Sequence, residues 1–219
     1  MQRRQLLLAF LSMPLLAPLR PAARASGRLR EPIIGLPCEG CEAVFDSKPE
    51  VLSSRSRIAP MGEPGDPLTL TGQVIDQAGR VAPGVIVYAY HTDRTGIYPT
   101  PRLPTGQEAR RHGRLRAWAQ TNESGEYRFD TIRPGSYPGA DIPEHIHMHV
   151  IEPGRATYYI GDVMFRDDPK LTPRQVQQLS HGRGGDGIVT PERRQGVWLV
   201  RRDIMLGLGV SGYPARGAS

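Results

Sequence analysis

The chain of 219 residues has little cysteine, no low-complexity tract and no apolar run long enough to cross a bilayer. Its only cysteines are Cys38 and Cys41, in "LPCEGC". A structural zinc site needs two further ligands close by, and none is evident, nor does a βαβ pattern follow that would suggest a redox pair. In an exported protein such a close pair predicts a local disulfide.

The first 25 residues contain no acidic residue. A basic start precedes an apolar run, Leu6–Leu19, and the segment ends in Ala23-Arg24-Ala25. This is the layout of a cleaved signal peptide, which predicts an exported protein, periplasmic or secreted, with no membrane span after its removal. Arg3-Arg4 resembles a twin-arginine signal, while Gln2 and Leu6 depart from it, so twin-arginine and general secretion both stay open.

The predicted mature chain also lacks a strong excess of either charge. The leader carries four arginines, and its removal leaves 24 basic against 22 acidic residues, which takes the net charge from +6 to +2. This balance gives no reason to expect a nucleic-acid partner.

The remaining sequence divides into an irregular arm, residues 26–66, and one domain, residues 67–219. Glycine (25) and proline (21) are abundant and punctuate short runs of alternating or β-branched residues. We expect an all-β fold, an antiparallel β-sandwich with long loops and one short helix at 172–179, capped by Thr172 with Pro173 at its first position. The predicted strands are 68–76, 84–92, 117–122, 127–132, 145–152, 156–165, 186–190 and 196–206, with 117–122 and 127–132 forming a hairpin.

Three of the six histidines stand at alternate positions of one predicted strand, in "DIPEHIHMHV". On a strand, His145, His147 and His149 point to the same face. Imidazole is an expensive core residue, so this pattern predicts a metal site. Asp141 or Glu144 could complete a two-histidine, one-carboxylate ferrous or zinc site.

Tyrosine is the other candidate ligand type near this strand. Tyr98 lies where a strand gives way to the long loop 93–115, and Tyr137 lies in a turn eight residues before His145. Phenol titrates near ~10 when free. It therefore ligates at neutral pH only where a strongly charged metal such as Fe(III) removes the proton.

Four segments together resemble the intradiol ring-cleaving dioxygenases, the catechol and protocatechuate group. They are "GQVIDQAGRVAPGVIVYAYHTDRTGIYP", "TNESGEYRFDTIRPGSYPG", "PEHIHMHV" and "YYIGDVMFRDDP". The most specific element is the ordered set of tyrosine in "GIYP", tyrosine in "GSYP" and H-x-H on the next strand. The resemblance implies a non-haem Fe(III) bound by Tyr98, Tyr137, His145 and His147.

The resemblance also implies an activity. The substrates would be a small aromatic diol and O₂, and the ring would open between the two hydroxyls, with both oxygen atoms ending in a dicarboxylate. Tyr137 aligns with the tyrosine that leaves the iron and takes a substrate proton, which makes it the catalytic candidate. His149 is not a ligand position in this family, and a homo-oligomer stays open.

Two positions depart from the family pattern. Ile142 stands where the family usually has arginine, and Asp162 stands where it usually has glutamine; both family residues face the substrate. The cations nearest in sequence that could replace the arginine follow Tyr98, and they are Arg102, Arg110, Arg111, Arg114 and Arg116.

Two other interpretations fit part of the sequence. A transthyretin-like or carboxypeptidase-regulatory-like module, which binds partners or sugars, would explain the strands but not the tyrosine and histidine set. A metal hydrolase would use the histidines with a carboxylate. Colour discriminates between them, because ferric phenolate is red-brown, whereas a zinc protein or a metal-free module is colourless.

Overall fold

The structure, a computed structural model, describes residues 31–35, 40–101 and 106–215. The predicted signal peptide and Cys38 lie outside these residues. Two β-sheets face each other and enclose the main apolar core, which confirms the all-β sandwich. The strands are β1 Arg55–Arg57, β2 Pro67–Ile75, β3 Ile86–Tyr90, β4 Arg116–Gln120, β5 Glu126–Ile132, β6 His145–Glu152, β7 Ala156–Phe165, β8 Ile188–Val189, β9 Glu192–Arg194, β10 Val197–Arg201 and β11 Ile204–Met205.

One sheet has the order β4-β3-β6-β7-β8, and the other β1-β5-β2-β10-β9, with β11 also paired to β2. The central pairs β3–β4, β3–β6, β6–β7 and β2–β5 are antiparallel, as expected. Parallel pairs occur between β1 and β5, β2 and β10, β2 and β11, and β7 and β8. The sheets are therefore mixed, with an antiparallel centre.

The predicted hairpin of residues 117–122 and 127–132 is wrong. β4 pairs with β3, whereas β5 pairs with β2 in the other sheet. The connecting turn is tight, because Asn122 Oδ1 accepts hydrogen bonds from the backbone N–H groups of Ser124 and Glu126. Such a turn serves a hairpin or a crossing between sheets equally well, so the local signal does not specify the pairing partner.

The helical segments are short. The predicted helix is confirmed as α2, Pro173–Leu179, with Thr172 and Gln175 forming a capping box. A second helix, α1 (Gln107–Arg111), lies in the long loop, and a 3₁₀ helix spans Cys41–Phe45. No helix in the described ranges is long and apolar enough to cross a membrane.

The arm is not irregular throughout, because its strand β1 pairs with β5 in one sheet, while its earlier part, around Val44, covers the outer face of the β4-β3-β6-β7-β8 sheet. Val44 is fully buried there, and its carbonyl accepts a hydrogen bond of 2.7 Å from Nε1 of Trp118. A second, smaller apolar cluster forms around Val44, with Tyr88, Tyr90 and Trp118. The outer face of this sheet is thus partly enclosed, and it carries the histidines.

Candidate metal centre

Strand β6 has two chemically different faces. Its inner side chains Ile146, Met148 and Val150 are fully buried in the main core. The three histidines point to the outer face, as predicted. His147 lies opposite Tyr90 and His149 opposite Tyr88 in the ladder with β3.

Two glycine-containing turns bring Tyr98 and Tyr137 to this face. Gly135 N donates to the Asp93 carbonyl at 2.8 Å, and the turns approach so closely that a Cβ on Gly96 would lie 1.9 Å from the Ser136 carbonyl oxygen. Only glycine fits there, and Gly96 also has a positive φ of 81°. The backbone therefore fixes the two tyrosine segments against each other.

The four side chains assigned as ligands by the resemblance converge on one point. The hydroxyl oxygens of Tyr98 and Tyr137 are 2.5 Å apart. Nε2 of His147 lies 2.9 Å from the Tyr98 hydroxyl and 3.4 Å from that of Tyr137. Nε2 of His145 lies 3.2 Å from both the Tyr137 hydroxyl and Nε2 of His147.

The hydrogen bonds on the far side of each imidazole fix its tautomer. Nδ1 of His145 donates to the Pro143 carbonyl at 2.7 Å, and Nδ1 of His147 donates to the Asp162 carboxylate at 2.8 Å. Because both partners only accept, Nδ1 carries the proton in each neutral ring. Two unprotonated Nε2 atoms thus face each other at 3.2 Å, an arrangement that a shared cation stabilises.

The phenols are not ionised by their surroundings. Burial, the hydrogen bond with Tyr137 and the nearby phenol groups raise the pKa of Tyr98 well above its ordinary value, and burial does the same for the pKa of Tyr137. A bound cation of high charge would have to displace these protons. The donor set, two phenol oxygens and two imidazole nitrogens, suits a ferric ion.

The neighbouring carboxylates do not complete the site. Asp141 is exposed, and Glu144 pairs with Arg133 at 2.6 Å. Asp162 has an oxygen near both ligand histidines, with all three ligand atoms within 4.8 Å of one another. That carboxylate, however, bonds Nδ1 of His147, on the ring edge away from Nε2, so it contacts the back of the imidazole and not the point where the Nε2 atoms converge.

A cavity of about 430 Å³ opens beside the four side chains. Its mouth and walls carry mostly aromatic and imidazole groups. The residues that line it are Tyr90, Tyr98, Arg111, His112, Tyr137, His147, His149 and Tyr159. The volume suits a small aromatic ligand.

Neither substrate-facing departure from the family pattern lines this cavity. Ile142 is 39% exposed, and its carbonyl accepts a hydrogen bond from Ser136. Asp162 lies behind His147. Among the candidate arginines, Arg111 lines the cavity, Arg114 makes two bonds of 2.7 Å to Glu63, and Arg116 donates to the Ala43 carbonyl. Arg102 is outside the described ranges.

Sequence reasoning missed Tyr90 and His112. Tyr90 stacks between His147, at 4.6 Å between ring centres, and His112, at 3.7 Å. Nδ1 of His112 is 2.9 Å from the Tyr88 hydroxyl. The alternation of Tyr88 and Tyr90 marks one face of β3, but only the sheet register shows that this face is the one with the histidines.

His149 is not part of the converging set. It is 1% exposed, and neither ring nitrogen has a hydrogen-bond partner in the described part of the chain. Its ring lies edge-on to Tyr159 at 5.1 Å. Burial lowers its pKa well below the ordinary value, so it stays neutral.

Cys41 is buried; because Cys38 is not described, their disulfide stays a prediction.

Comparisons with known proteins agree with this geometry. The family model described as "Dioxygenase" (Dioxygenase_C) matches residues 45–189. The beta chain of protocatechuate 3,4-dioxygenase from Burkholderia cepacia is 28% identical over an alignment of 142 residues, which covers 59% of this chain and 57% of that protein. The chain thus matches little more than half the length of this relative.

Two solved structures illustrate the shared fold. Catechol 1,2-dioxygenase from Pseudomonas arvilla C-1 has a TM-score of 0.53 at 20% identity, covering 70% of this chain and 56% of its own. An intradiol ring-cleavage dioxygenase from Tetranychus urticae has a TM-score of 0.51 at 24% identity, covering 81% and 94%.

Proposed function

We propose that this chain opens the ring of a catechol-type diol between its two hydroxyls with O₂. The premise is that the chain belongs to the intradiol dioxygenase family. The observation that carries the proposal is the convergence of Tyr98, Tyr137, His145 and His147, with two proton-free Nε2 atoms 3.2 Å apart. These residues would hold a non-haem ferric ion. The dioxygenase class follows from the family, whereas the substrate and the ligand set are our proposals.

The bound ferric ion would supply Lewis-acid and one-electron chemistry that makes the diol reactive towards O₂. The protein supplies position and proton transfer. The Tyr137 oxygen, as the phenolate that a bound ferric ion would favour, would accept a proton from a substrate hydroxyl and so become a neutral phenol. Tyr90 and Tyr159 form aromatic walls of the cavity and would shield the reacting ring from water.

Arg111 is the candidate to replace the positive charge of the family arginine, at whose position this chain has Ile142. It ends α1 and lines the cavity. A positive charge there would stabilise the negative charge that develops on the ring. Losing one such group typically costs ~10²–10³ in rate.

The first experiment is iron loading followed by metal analysis and a visible spectrum. Wild-type protein should bind iron and show a red-brown phenolate band. His145→Ala and His147→Ala should lose most of the iron, and Tyr98→Phe should shift or bleach the band. His181→Ala is the matched control, because His181 is exposed, and it should bind iron normally. Zinc or no metal in the loaded wild type would overturn the assignment.

The second experiment measures oxygen uptake with several substituted catechols. Arg111→Ala should lower the rate by roughly tenfold or more, the low end of the cost of a lost charge-stabilising group. Arg110→Ala, the preceding residue on α1, should be silent. If the wild type turns over well and Arg111→Ala is equally active, the charge is handled elsewhere.

We also propose export, with the segment 1–25 as the signal and Cys38 bonded to Cys41 in the mature protein. Cell fractionation and intact mass with and without reductant test both points. Two free thiols in exported material would refute the bond.

A further inference from the structure

Asp162 reaches the outer face because of a bulge in β7. Tyr158 and Ile160 point into the main core, and simple alternation would send residue 162 the same way. The register with β6 instead shifts between Ile146 and Met148, opposite His147, so that Val163 returns to the core. The extra residue turns Asp162 towards the histidines.

A second side chain supports this carboxylate. Tyr159 donates a short hydrogen bond to the oxygen of Asp162 that also accepts from Nδ1 of His147. The Arg183 guanidinium lies 4.7 Å from the centre of the Tyr159 ring. The side chains of Asp162 and His147 are only 16% and 18% exposed. The three residues therefore form a shielded chain that ends at the proposed ligand.

We propose that Asp162 is a positioning residue that holds His147 in the Nδ1–H tautomer and strengthens Nε2 as a ligand, with Tyr159 fixing the carboxylate. This inference rests on the proposed function. A carboxylate behind a histidine ligand orients the ring and raises its basicity. The glutamine that usually stands here in the family is neutral, so this chain places an additional negative charge beside the centre.

Two measurable consequences follow for the ferric protein. A stronger donor and a nearby negative charge favour Fe(III) over Fe(II), which lowers the reduction potential. They also make the ferric ion a poorer acceptor of an electron from the phenolate. The phenolate-to-iron charge-transfer band therefore moves to shorter wavelength. Removing the charge should reverse both effects.

The metal-bound test compares wild type with Asp162→Asn, which removes the charge at constant size, and Asp162→Gln, the usual family residue. We expect iron binding to weaken by about 10- to 100-fold, the usual effect of losing such a partner. The band should move to longer wavelength and the potential should rise. Asp203→Asn, a partly exposed carboxylate in the segment between β10 and β11, is the control and should leave all three unchanged. Unchanged affinity, band and potential in Asp162→Asn would overturn the proposal.

Tyr159→Phe tests the support for the carboxylate and serves if the Asp162 variants do not fold. Tyr213→Phe is its matched control, because it removes a similar tyrosine–carboxylate hydrogen bond, from Tyr213 to Glu152, away from the ligands. Tyr159→Phe should loosen the carboxylate and weaken iron binding, as Asp162→Asn does, and Tyr213→Phe should not. Equal effects of both would mean a general loss of packing and refute the role of Tyr159.

The metal-free test separates this inference from the proposed function. Histidine ¹⁵N spectra above pH 8 report which ring nitrogen of His147 carries the proton. Wild type should show the Nδ1–H form, and Asp162→Ala should lose it. If wild type fails to bind iron but shows this pattern, the ferric function fails and the positioning role stands. If His147 carries its proton on Nε2, or keeps the same tautomer in Asp162→Ala, the positioning role fails.

Discussion

The two faces of strand β6 differ in how their side chains are satisfied. The inner face is apolar and fully buried against the opposite sheet. The outer face carries three imidazoles among tyrosines. The Nε2 atoms of His145 and His147 converge on one point, whereas both nitrogens of His149 have no partner in the described residues. Stability thus comes mainly from one face and chemistry from the other, although their residues alternate along a single strand.

The largest effect is expected from a comparison of two substitutions, one on each face of β6. Met148→Ala should lower the free energy of unfolding by about 2–5 kcal/mol, because it leaves a cavity in a closed core. His147→Ala should cost much less stability while removing iron binding. Urea unfolding of the iron-free variants measures the first effect. Equal destabilisation by both would show that the outer face is also a structural core.

A second test uses His91, which is fully buried between the sheets and has both nitrogens bonded, to the Thr92 carbonyl and the Thr131 hydroxyl. Burial lowers its pKa to about 4. The unfolded chain binds this proton near pH ~6.5, so stability should fall as the pH drops from there towards 4. The slope contributed by this residue is about 1.4 kcal/mol per pH unit at most. Urea titrations at several pH values should show a flatter profile for His91→Gln; an identical slope would contradict the assignment.

The smallest effect concerns the arm over the outer face. Gly40 has a φ of 76°, and a Cβ there would lie 2.6 Å from Nε2 of His112. Gly40→Ala should cost about 1–2 kcal/mol for the left-handed backbone, plus the displacement of His112. Gly62→Ala is the control, since its φ is 79° and no atom lies within 4 Å of its Cβ position. Unfolding experiments that give equal losses would mean that the His112 contact is unimportant.

The sequence predicted those parts of the fold that depend on local periodicity. Strands β6 and β7 have the predicted bounds, because turn residues flank both strands and the histidines of β6 recur with period 2. The ladder partners of β4 and β5 were not predictable, because a turn constrains direction but not which sheet continues. Helix α1 was missed because five residues are too few for a helical period.

In the candidate site, too, the sequence predicts what depends on local motifs and not what depends on strand pairing. Tyr98, Tyr137, His145 and His147 were identified through ordered motifs, and the structure brings them together. The position of Asp162 behind His147 depends on the bulge in β7. The only trace of that bulge in the sequence is the switch of buried apolar residues from 158 and 160 to 163 and 165.

The contact between the Gly96 and Gly135 turns has an entropic consequence. The backbone contact between the two turns holds two tyrosines 39 residues apart with their oxygens 2.5 Å from each other. For the proposed ferric ion they would act as one prebuilt chelating ligand, so that the second phenol oxygen adds binding energy with little further loss of conformational freedom. Loosening either turn would therefore weaken the binding of the proposed ferric ion through both tyrosines at once.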